Sequence, residues 1–132
     1  MAFDQDTLGL LDESIEVDMV TPRRDGSLSK RPIWVVVVDG DPYVRSYLGP
    51  EGAWYKRALA DRQAALEVAG DTIEVGAEPE HGQEINARVS DAFRAKYAER
   101  EPEPTEAMVT PEVTATTLRL SSLCEEDARR GN

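Results

Sequence analysis

Hydrophobic and polar residues alternate along several short stretches of the chain, and a period of two is the pattern of a β-strand with one buried face. Residues 15–20 alternate in this way and predict a first strand, which continues to residue 24. Asp25-Gly26 then predicts a tight turn, because glycine readily adopts the positive φ angle that hairpin turns need. A return strand is expected over residues 30–38, and its apolar centre, residues 33–38, should be buried on both faces.

Four further stretches of the sequence predict strands. A second turn at residues 39–41 leads into a third strand over residues 43–47. Residues 65–68 and 72–75 are joined by a short glycine-containing turn and predict another hairpin. The alternating, threonine-rich segment of residues 113–120 predicts a last strand in a partly exposed sheet.

Helical spacing of apolar residues is found in three places. The N-terminal segment, residues 1–14, contains a weak helical pattern over residues 6–12, and a second short helix begins near Trp54. Residues 83–100 have the clearest amphipathic pattern in the chain and predict a long helix. The sequence Glu101-Pro102-Glu103-Pro104 should end that helix and act as a stiff, charged linker.

The order of these elements defines the fold class. About six consecutive strands joined by short turns, with two or three helices, favour a mainly β, α+β protein built on a small antiparallel barrel. The 132 residues fit one domain, residues 1–132, in which residues 122–132 are expected to form a mobile tail.

The formal net charge of −11 argues against a general nucleic-acid-binding protein, whose affinity for phosphates rests on Lys and Arg. Any basic site must therefore be local. The first residues show no basic leader, and the longest apolar stretch, residues 33–38, is too short to span a bilayer. We therefore expect a cytoplasmic protein with no membrane partner.

The chain has too few cysteine and histidine residues for a disulfide framework or for a metal site built on these ligands. Cys124 is the only cysteine, so the chain has no disulfide framework and no cluster of thiol ligands for a metal. His81 is the only histidine, and its setting between Glu80 and Gly82 predicts an exposed loop residue. No metal site is expected.

One segment combines basic, hydroxyl and aromatic residues in a way that suits an anionic ligand. Arg45-Ser46 ends the third predicted strand, and Trp54-Tyr55-Lys56-Arg57 begins a helix after a glycine-rich loop. Helix-start amides favour an anion, and Lys, Arg and Ser supply charge and donors, so a phosphate could be held here. The Trp and Tyr rings could supply a flat wall for a ring compound.

The same residues have a purely structural alternative. Trp54 and Tyr55 would then be core residues, and the neighbouring Arg and Lys side chains would be solvated charges that balance nearby acids. A second basic group, Arg23-Arg24 and Lys30-Arg31, flanks the first hairpin turn. It is either a solubilising tip or, through strand pairing, places Arg31 near the phosphate site.

At these positions the sequence resembles a known family. The resemblance is to the family called domain of unknown function 2255, and more remotely to the pyridoxamine-phosphate-oxidase-like and deazaflavin-dependent nitroreductase-like split barrels. It covers about residues 15–97 and rests on Arg23-Arg24-Asp25-Gly26, Arg31-Pro32-Ile33-Trp34-Val35-Val36-Val37, Tyr43-Val44-Arg45-Ser46, Gly49-Pro50 and Trp54-Tyr55-Lys56-Arg57.

The resemblance implies an FMN-binding-like split β-barrel that forms a homodimer, with FMN or deazaflavin in a cleft between subunits. It implies that the phosphate is held around the third strand and the next helix, and that the ring lies beside Arg31 and the strand that follows it. The cofactor-binding residues that it implies are Arg31, Pro32, Ile33, Trp34, Arg45, Ser46, Trp54, Tyr55, Lys56 and Arg57.

Three functions remain open at the level of the sequence. The first is a small flavin- or deazaflavin-dependent oxidoreductase, nitroreductase- or quinone-reductase-like, in which the cofactor transfers hydride to a small organic substrate. Tyr47, Tyr55 and Asp39 are then possible proton donors, and no catalytic residue is assigned. The second is a cofactor-free barrel that binds, cyclises or isomerises a small metabolite, and the third is a non-catalytic binding or dimerisation module.

Overall fold

The computed structural model describes residues 3–123, and within them the main feature is one antiparallel sheet of seven strands. The strands are β1 (Val17–Pro22), β2 (Leu28–Ile33), β3 (Val36–Val38), β4 (Asp41–Val44), β5 (Gln63–Val68), β6 (Asp71–Pro79) and β7 (Leu118–Ser122). Their order in the sheet is β2-β1-β5-β6-β7-β4-β3. The mainly β, split-barrel class expected from the sequence is therefore confirmed, with seven strands in place of about six.

The split of the barrel lies between β2 and β3, the two edge strands of the described sheet. Only Trp34 and Val35 separate these strands along the chain. A connection of two residues between opposite edges requires the sheet to curl until the edges approach each other. The sheet is consequently a curled half-barrel.

The predicted hairpin turns are confirmed. Gly26, between β1 and β2, has a φ angle of 90°. Asp39 and Gly40, between β3 and β4, have φ angles of 53° and 83°, the two positive values of a tight hairpin turn. In the β1–β2 ladder Val17 pairs with Ile33 and Thr21 pairs with Ser29.

Five α-helices and one short 3₁₀ helix surround the described sheet, more than the two or three helices expected. They are α1 (Gln5–Glu13), the 3₁₀ helix (Gly49–Glu51), α2 (Ala53–Asp61), α3 (Gln83–Tyr97), α4 (Pro102–Met108) and α5 (Pro111–Thr114). The Asp4 side chain caps α1 by accepting from the Thr7 N–H at 2.7 Å. The amphipathic pattern of α3 is confirmed, since Val89, Phe93 and Tyr97 are fully buried.

Two hydrophobic clusters stabilise the fold. The larger lies between the sheet and the helices α1 and α2, and the smaller lies under α3, α4 and α5. Trp54 and Tyr55 belong to the larger cluster, whereas Trp34 packs against the smaller one. Among residues 3–123, no helix is both long enough and apolar enough to cross a membrane.

The expectation of one continuous strand over residues 30–38 was wrong. β2 ends at Ile33 and β3 begins at Val36, because the two halves pair with β1 and β4 respectively and the chain must bend between them. Burial on both faces is incomplete, since Trp34 and Val37 are only partly buried.

Two expectations near the C-terminus were also wrong. Residues 101–104 are not a linker, because α4 begins at Pro102, where a missing N–H costs nothing in the first helical turn. Residues 113–120 are not one strand, since α5 ends at Thr114 and β7 begins only at Leu118. Of the expected tail, Ser122 belongs to β7, and residues 124–132 with Cys124 lie outside the described residues.

Candidate functional site

A cavity of about 260 Å³ opens at the bend between β2 and β3. Its walls come from that bend, from the segment after β4, from α2 and from α4. The lining residues are Glu16, Pro32, Ile33, Trp34, Arg45, Tyr47, Trp54, Pro104 and Met108. Pro32, Ile33, Trp34, Arg45 and Trp54 are the predicted site residues that the structure brings together here.

The Trp34 ring is fixed as one wall of the cavity by residues of α3. It stacks on Tyr97, with ring centroids 4.0 Å apart and planes inclined by 2°. The next residue, Val35, donates its N–H to Tyr97 Oη at 3.3 Å and accepts from Lys96 Nζ at 2.7 Å. The end of α3 therefore holds the peptide that carries Trp34, across the gap between the two sheet edges.

Tyr97 also fixes the backbone next to a second lining residue, Glu16. Its hydroxyl donates to the Ile15 carbonyl at 2.8 Å, and the next residue, Glu16, lines the cavity. Burial raises the pKa of Tyr97 to about 12, so the hydroxyl keeps its proton as a donor at neutral pH. One buried side chain thus fixes the backbone beside both Glu16 and Trp34.

Arg45 lies in the cavity wall, but its hydrogen bonds go to the protein itself. Nε donates to Thr117 Oγ1 at 2.8 Å, and Nη1 donates to Ser90 Oγ at 2.9 Å and to the Met108 carbonyl at 3.0 Å. Nη2 donates to the carbonyl and side-chain oxygens of Asn86 at 3.0 and 3.3 Å. These contacts use all of the N–H groups that an arginine has.

The environment of Arg45 is that of a structural cation. The residue is 1% exposed, and its guanidinium lies 5.4 Å from the centre of the Phe93 ring. Burial lowers its pKa to about 10, and no ion pair to a carboxylate of residues 3–123 compensates the charge. In this structure Arg45 is a source of positive potential, with no donor left for a phosphate.

Ser46 is similarly committed to the fold. Its hydroxyl donates to the Gly49 carbonyl at 2.7 Å, and its N–H donates to Thr116 Oγ1 at 2.9 Å. A Cβ atom at Gly52 would lie 2.3 Å from Ser46 Oγ, so only glycine allows this approach of the start of α2. Ser46 therefore fastens the turn before α2 and does not line the cavity.

The remaining predicted residues of α2 lie outside the cavity. Tyr55 is buried and packs edge-on against Trp54, with ring centroids 6.2 Å apart. Lys56 is exposed and pairs with Glu51 at 3.0 Å. Arg57 is half-buried and donates from Nε to Thr21 Oγ1 at 2.9 Å.

Arg31 is exposed on the edge strand β2, next to Pro32 of the cavity wall. It pairs with Met19 in the β1–β2 ladder, one step along the same face from the pair of Thr21 and Ser29. Since Arg57 bonds to Thr21, Arg31 and Arg57 flank the same face of this hairpin. That strand pairing places Arg31 at a phosphate site stays a prediction of the sequence.

The candidate proton donors occupy different places. Tyr47 lines the cavity and is 57% exposed. Tyr55 is not part of the lining, and Asp39 lies in the β3–β4 turn, where it pairs with Arg88. The hydrogen bond from Arg88 lowers the pKa of Asp39, which keeps this carboxylate ionised and unsuited to donate a proton.

Sequence reasoning did not identify three residues of the cavity. Glu16 was treated as the polar position of a strand, although it lies in the loop before β1. Pro104 and Met108 come from α4, and the sequence predicts a linker over its first residues, 102–104, and no element at Met108. The available signal was Pro102, which is favoured at the first position of a helix.

Solved structures share this fold at low sequence identity. A conserved hypothetical protein from Mycobacterium tuberculosis is 14% identical, with a TM-score of 0.61 over 91% of this chain and 79% of that one. An F420-H2 dependent reductase is 15% identical, with a TM-score of 0.58 over 81% of this chain and 94% of that one. A protein from Listeria innocua, provisionally assigned as a pyridoxamine 5′-phosphate oxidase, is 15% identical, with a TM-score of 0.57 over 87% of each chain.

These similarities establish that the chain shares the fold of these solved structures. The search of curated proteins gave no match. One family model matches residues 7–120. Because that match spans most of the sequence, the chain belongs to the family described as an uncharacterized protein conserved in bacteria, domain of unknown function 2255.

Proposed function

We propose that this protein is a small flavin- or deazaflavin-dependent oxidoreductase that directs hydride transfer to a small organic substrate. The observation that carries the proposal is the cavity at the β2–β3 bend, which has Trp34 and Trp54 in its walls. The F420-H2 dependent reductase with the same fold supports a deazaflavin as the cofactor.

The walls of the cavity suit a flat ring. Pro32, Ile33 and Trp34 form one continuous apolar stretch, and Trp54 adds a second indole. The volume of about 260 Å³ is slightly below the range of roughly 300 Å³ and above that is usual for small-molecule sites. We therefore expect the cavity to hold the ring system, with the rest of the cofactor outside it.

The phosphate of the cofactor would be bound by residues other than Arg45 and Ser46, because the hydrogen-bond donors of these two residues are used within the protein. Arg31 and Arg57 flank one face of the β1–β2 hairpin, and α2 begins close by with an uncapped N-terminus. Two guanidinium groups beside helix-start amides form a suitable anion site. Lys56 can join it by leaving its exposed pair with Glu51, which contributes little stability.

The bound flavin or deazaflavin would supply the hydride chemistry, and the side chains of this chain would orient the reactants. Trp34, stacked on Tyr97, gives a rigid wall that limits the positions available to a ring. Tyr47 is the candidate donor of a proton to the reduced substrate, because its hydroxyl belongs to the cavity lining.

We propose in addition that two copies form a homodimer over this site. Tyr47, which lines the cavity, and the next residue, Leu48, are 57% and 72% exposed, and β2, which contributes Pro32 and Ile33 to the lining, is an edge strand of the described sheet. Covering exposed apolar side chains and an unpaired strand edge with a second subunit would stabilise the protein. A second subunit would also enlarge a cavity that is small for a whole cofactor.

Replacing the two arginines tests the cofactor site. Removal of two charge-assisted contacts in the double variant R31A/R57A should weaken FMN or F420 binding by at least about a hundredfold. The affinity is measured by isothermal titration calorimetry with each cofactor.

The matched control is R24A, which removes an exposed arginine from the tip of the same hairpin. It should leave the affinity within about twofold of the wild-type value, as expected for a distant exposed charge. Equal affinities of wild type, R24A and R31A/R57A would refute the proposed phosphate site.

A cofactor-free barrel that binds or rearranges a small metabolite is the second candidate function. The observation that favours it is the internal use of Arg45 and Ser46, together with the small volume of the cavity. This alternative predicts no affinity for FMN or F420. It also predicts a saturable change in the fluorescence of Trp34 and Trp54 when a small metabolite is added without any cofactor.

A further inference from the structure

The cavity contains an unused hydrogen-bond acceptor among its apolar and aromatic walls. Glu16 is exposed at the lining and makes no hydrogen bond or ion pair with any residue of the described range 3–123. Its backbone is nevertheless fixed, because Tyr97 Oη donates to the carbonyl of the preceding residue, Ile15, at 2.8 Å. The backbone next to this carboxylate is thus held in place in a lining that also contains Trp34.

The other charged residue of the lining cannot recognise a ligand in the same way. The N–H groups of Arg45 are all directed at protein acceptors, and the residue is 1% exposed. Arg45 contributes potential to the cavity but no free donor. Hydrogen-bond selection by a charged group therefore rests on Glu16, which can only accept.

We infer that Glu16 sets the substrate class of this cavity: flat aromatic compounds that bear a protonated amine or another N–H donor. A carboxylate in the same lining as the aromatic rings of Trp34, Trp54 and Tyr47 favours an organic cation by direct attraction, to which the rings add cation–π contact. The same carboxylate disfavours a ligand that carries an anion at this end. This inference rests on the proposed function and deepens it, since it names the substrate class of the same site. The substrate would lie next to the cofactor ring, at the side of the cavity lined by Glu16.

Matched probes that differ only in charge test the inference. Para-nitrobenzylamine is a cation at neutral pH, para-nitrobenzoate is an anion and para-nitrobenzyl alcohol is neutral. Both tryptophans of the chain line the cavity, so binding of each probe is followed by quenching of their emission without any cofactor. The wild-type protein should bind the cation at least about fivefold more tightly than the anion.

The variant E16Q keeps the shape of the side chain and removes its charge, and it should abolish most of this preference. E16K should reverse the preference. The control E13Q changes the net charge by the same amount as E16Q, at an exposed residue of α1 outside the cavity. It should retain the wild-type ratio of cation affinity to anion affinity.

Equal binding of cation and anion by the wild-type protein would overturn the inference, as would equal shifts of the ratio in E16Q and E13Q. The outcome is separable from that of the proposed function. A Glu16-dependent preference for the cation without FMN or F420 binding would support the substrate class and reject the oxidoreductase. Cofactor binding without this preference would support the oxidoreductase and reject the substrate class.

Discussion

Arg45 is the residue whose role differs most between sequence and structure. In the sequence it stands at the end of a strand, beside a serine and before a glycine-rich loop, as a phosphate ligand would. In the fold its guanidinium joins α3, the end of α4 and the residue before β7 through Asn86, Ser90, Met108 and Thr117. These acceptors lie between 41 and 72 positions away along the chain, so no local pattern could identify them.

Replacement of Arg45 by methionine should destabilise the protein strongly. The variant R45M leaves several buried oxygen atoms without a donor, and the free energy of unfolding should fall by about 3 kcal/mol or more. Urea unfolding followed by circular dichroism measures the change.

The control is R94M at an exposed arginine of α3, which pairs with Asp91 on the surface. The free energy of unfolding of R94M should be lower than that of the wild type by less than about 1 kcal/mol. If R45M were as stable as R94M, Arg45 would not be the structural cation described above, and a direct role toward a ligand would regain support.

At the scale of secondary structure, elements marked by local chemistry were predictable and elements set by distant pairing were not. Asp25-Gly26 and Asp39-Gly40 gave correct hairpin turns, and the spacing of buried residues gave α3. The break of one apolar stretch into β2 and β3 depends on two partner strands far apart in the sequence, β1 and β4. The helices α4 and α5 both begin with proline, a residue that suggests a chain break unless its position in the first turn is known.

The end of α3 ties several elements together through Lys96. Its Nζ donates to the Leu11 carbonyl of α1 at 3.0 Å and to the Val35 carbonyl of the β2–β3 bend at 2.7 Å. Burial lowers the pKa of Lys96 to about 8, against an ordinary value of 10.5, while Asp12 acts in the opposite direction. The same side chain therefore fastens the bend and makes its attachment sensitive to pH.

The stability of the protein should rise with pH above about 8 because of Lys96. Between pH values of about 8 and 10.5 the unfolded chain binds a proton at this lysine that the folded chain has lost. The free energy of unfolding then increases with pH across that window, and below it the buried charge opposes folding. Denaturant unfolding at several pH values, for wild type and K96M, measures the slope.

In K96M the free energy of unfolding should not rise with pH in this window. The loss of the two hydrogen bonds of Lys96 should shift it by the same amount at every pH. The comparison is best kept below pH 10, since Arg45 and Tyr97 have pKa values of about 10 and about 12. Parallel pH profiles of the two proteins would contradict the assignment of the pH dependence to Lys96.

At the scale of the whole molecule, an acidic chain with a net charge of −11 has basic residues on the β1–β2 hairpin, on α2 and on α3, among other places. Two of these residues, Arg31 and Arg57, lie on the same face of the β1–β2 hairpin, and Arg31 directly precedes Pro32 of the cavity lining. The sequence allowed the fold class and part of the cavity wall to be predicted, because the resemblance covers β1 to α3. It did not reveal the contribution of α4, or the use of Arg45 inside the fold, since both depend on how the helices pack against the sheet.

The central claim is that the cavity between Trp34 and Trp54 receives a flat redox cofactor, and a fluorescence titration of the wild-type protein tests it most directly. These two residues are the only tryptophans of the chain, so FMN or F420 seated between them must quench the emission. The account predicts saturable quenching with one of the two cofactors at micromolar concentration or below. Emission that stays unchanged with both, beyond simple absorption of light by the added cofactor, would contradict it.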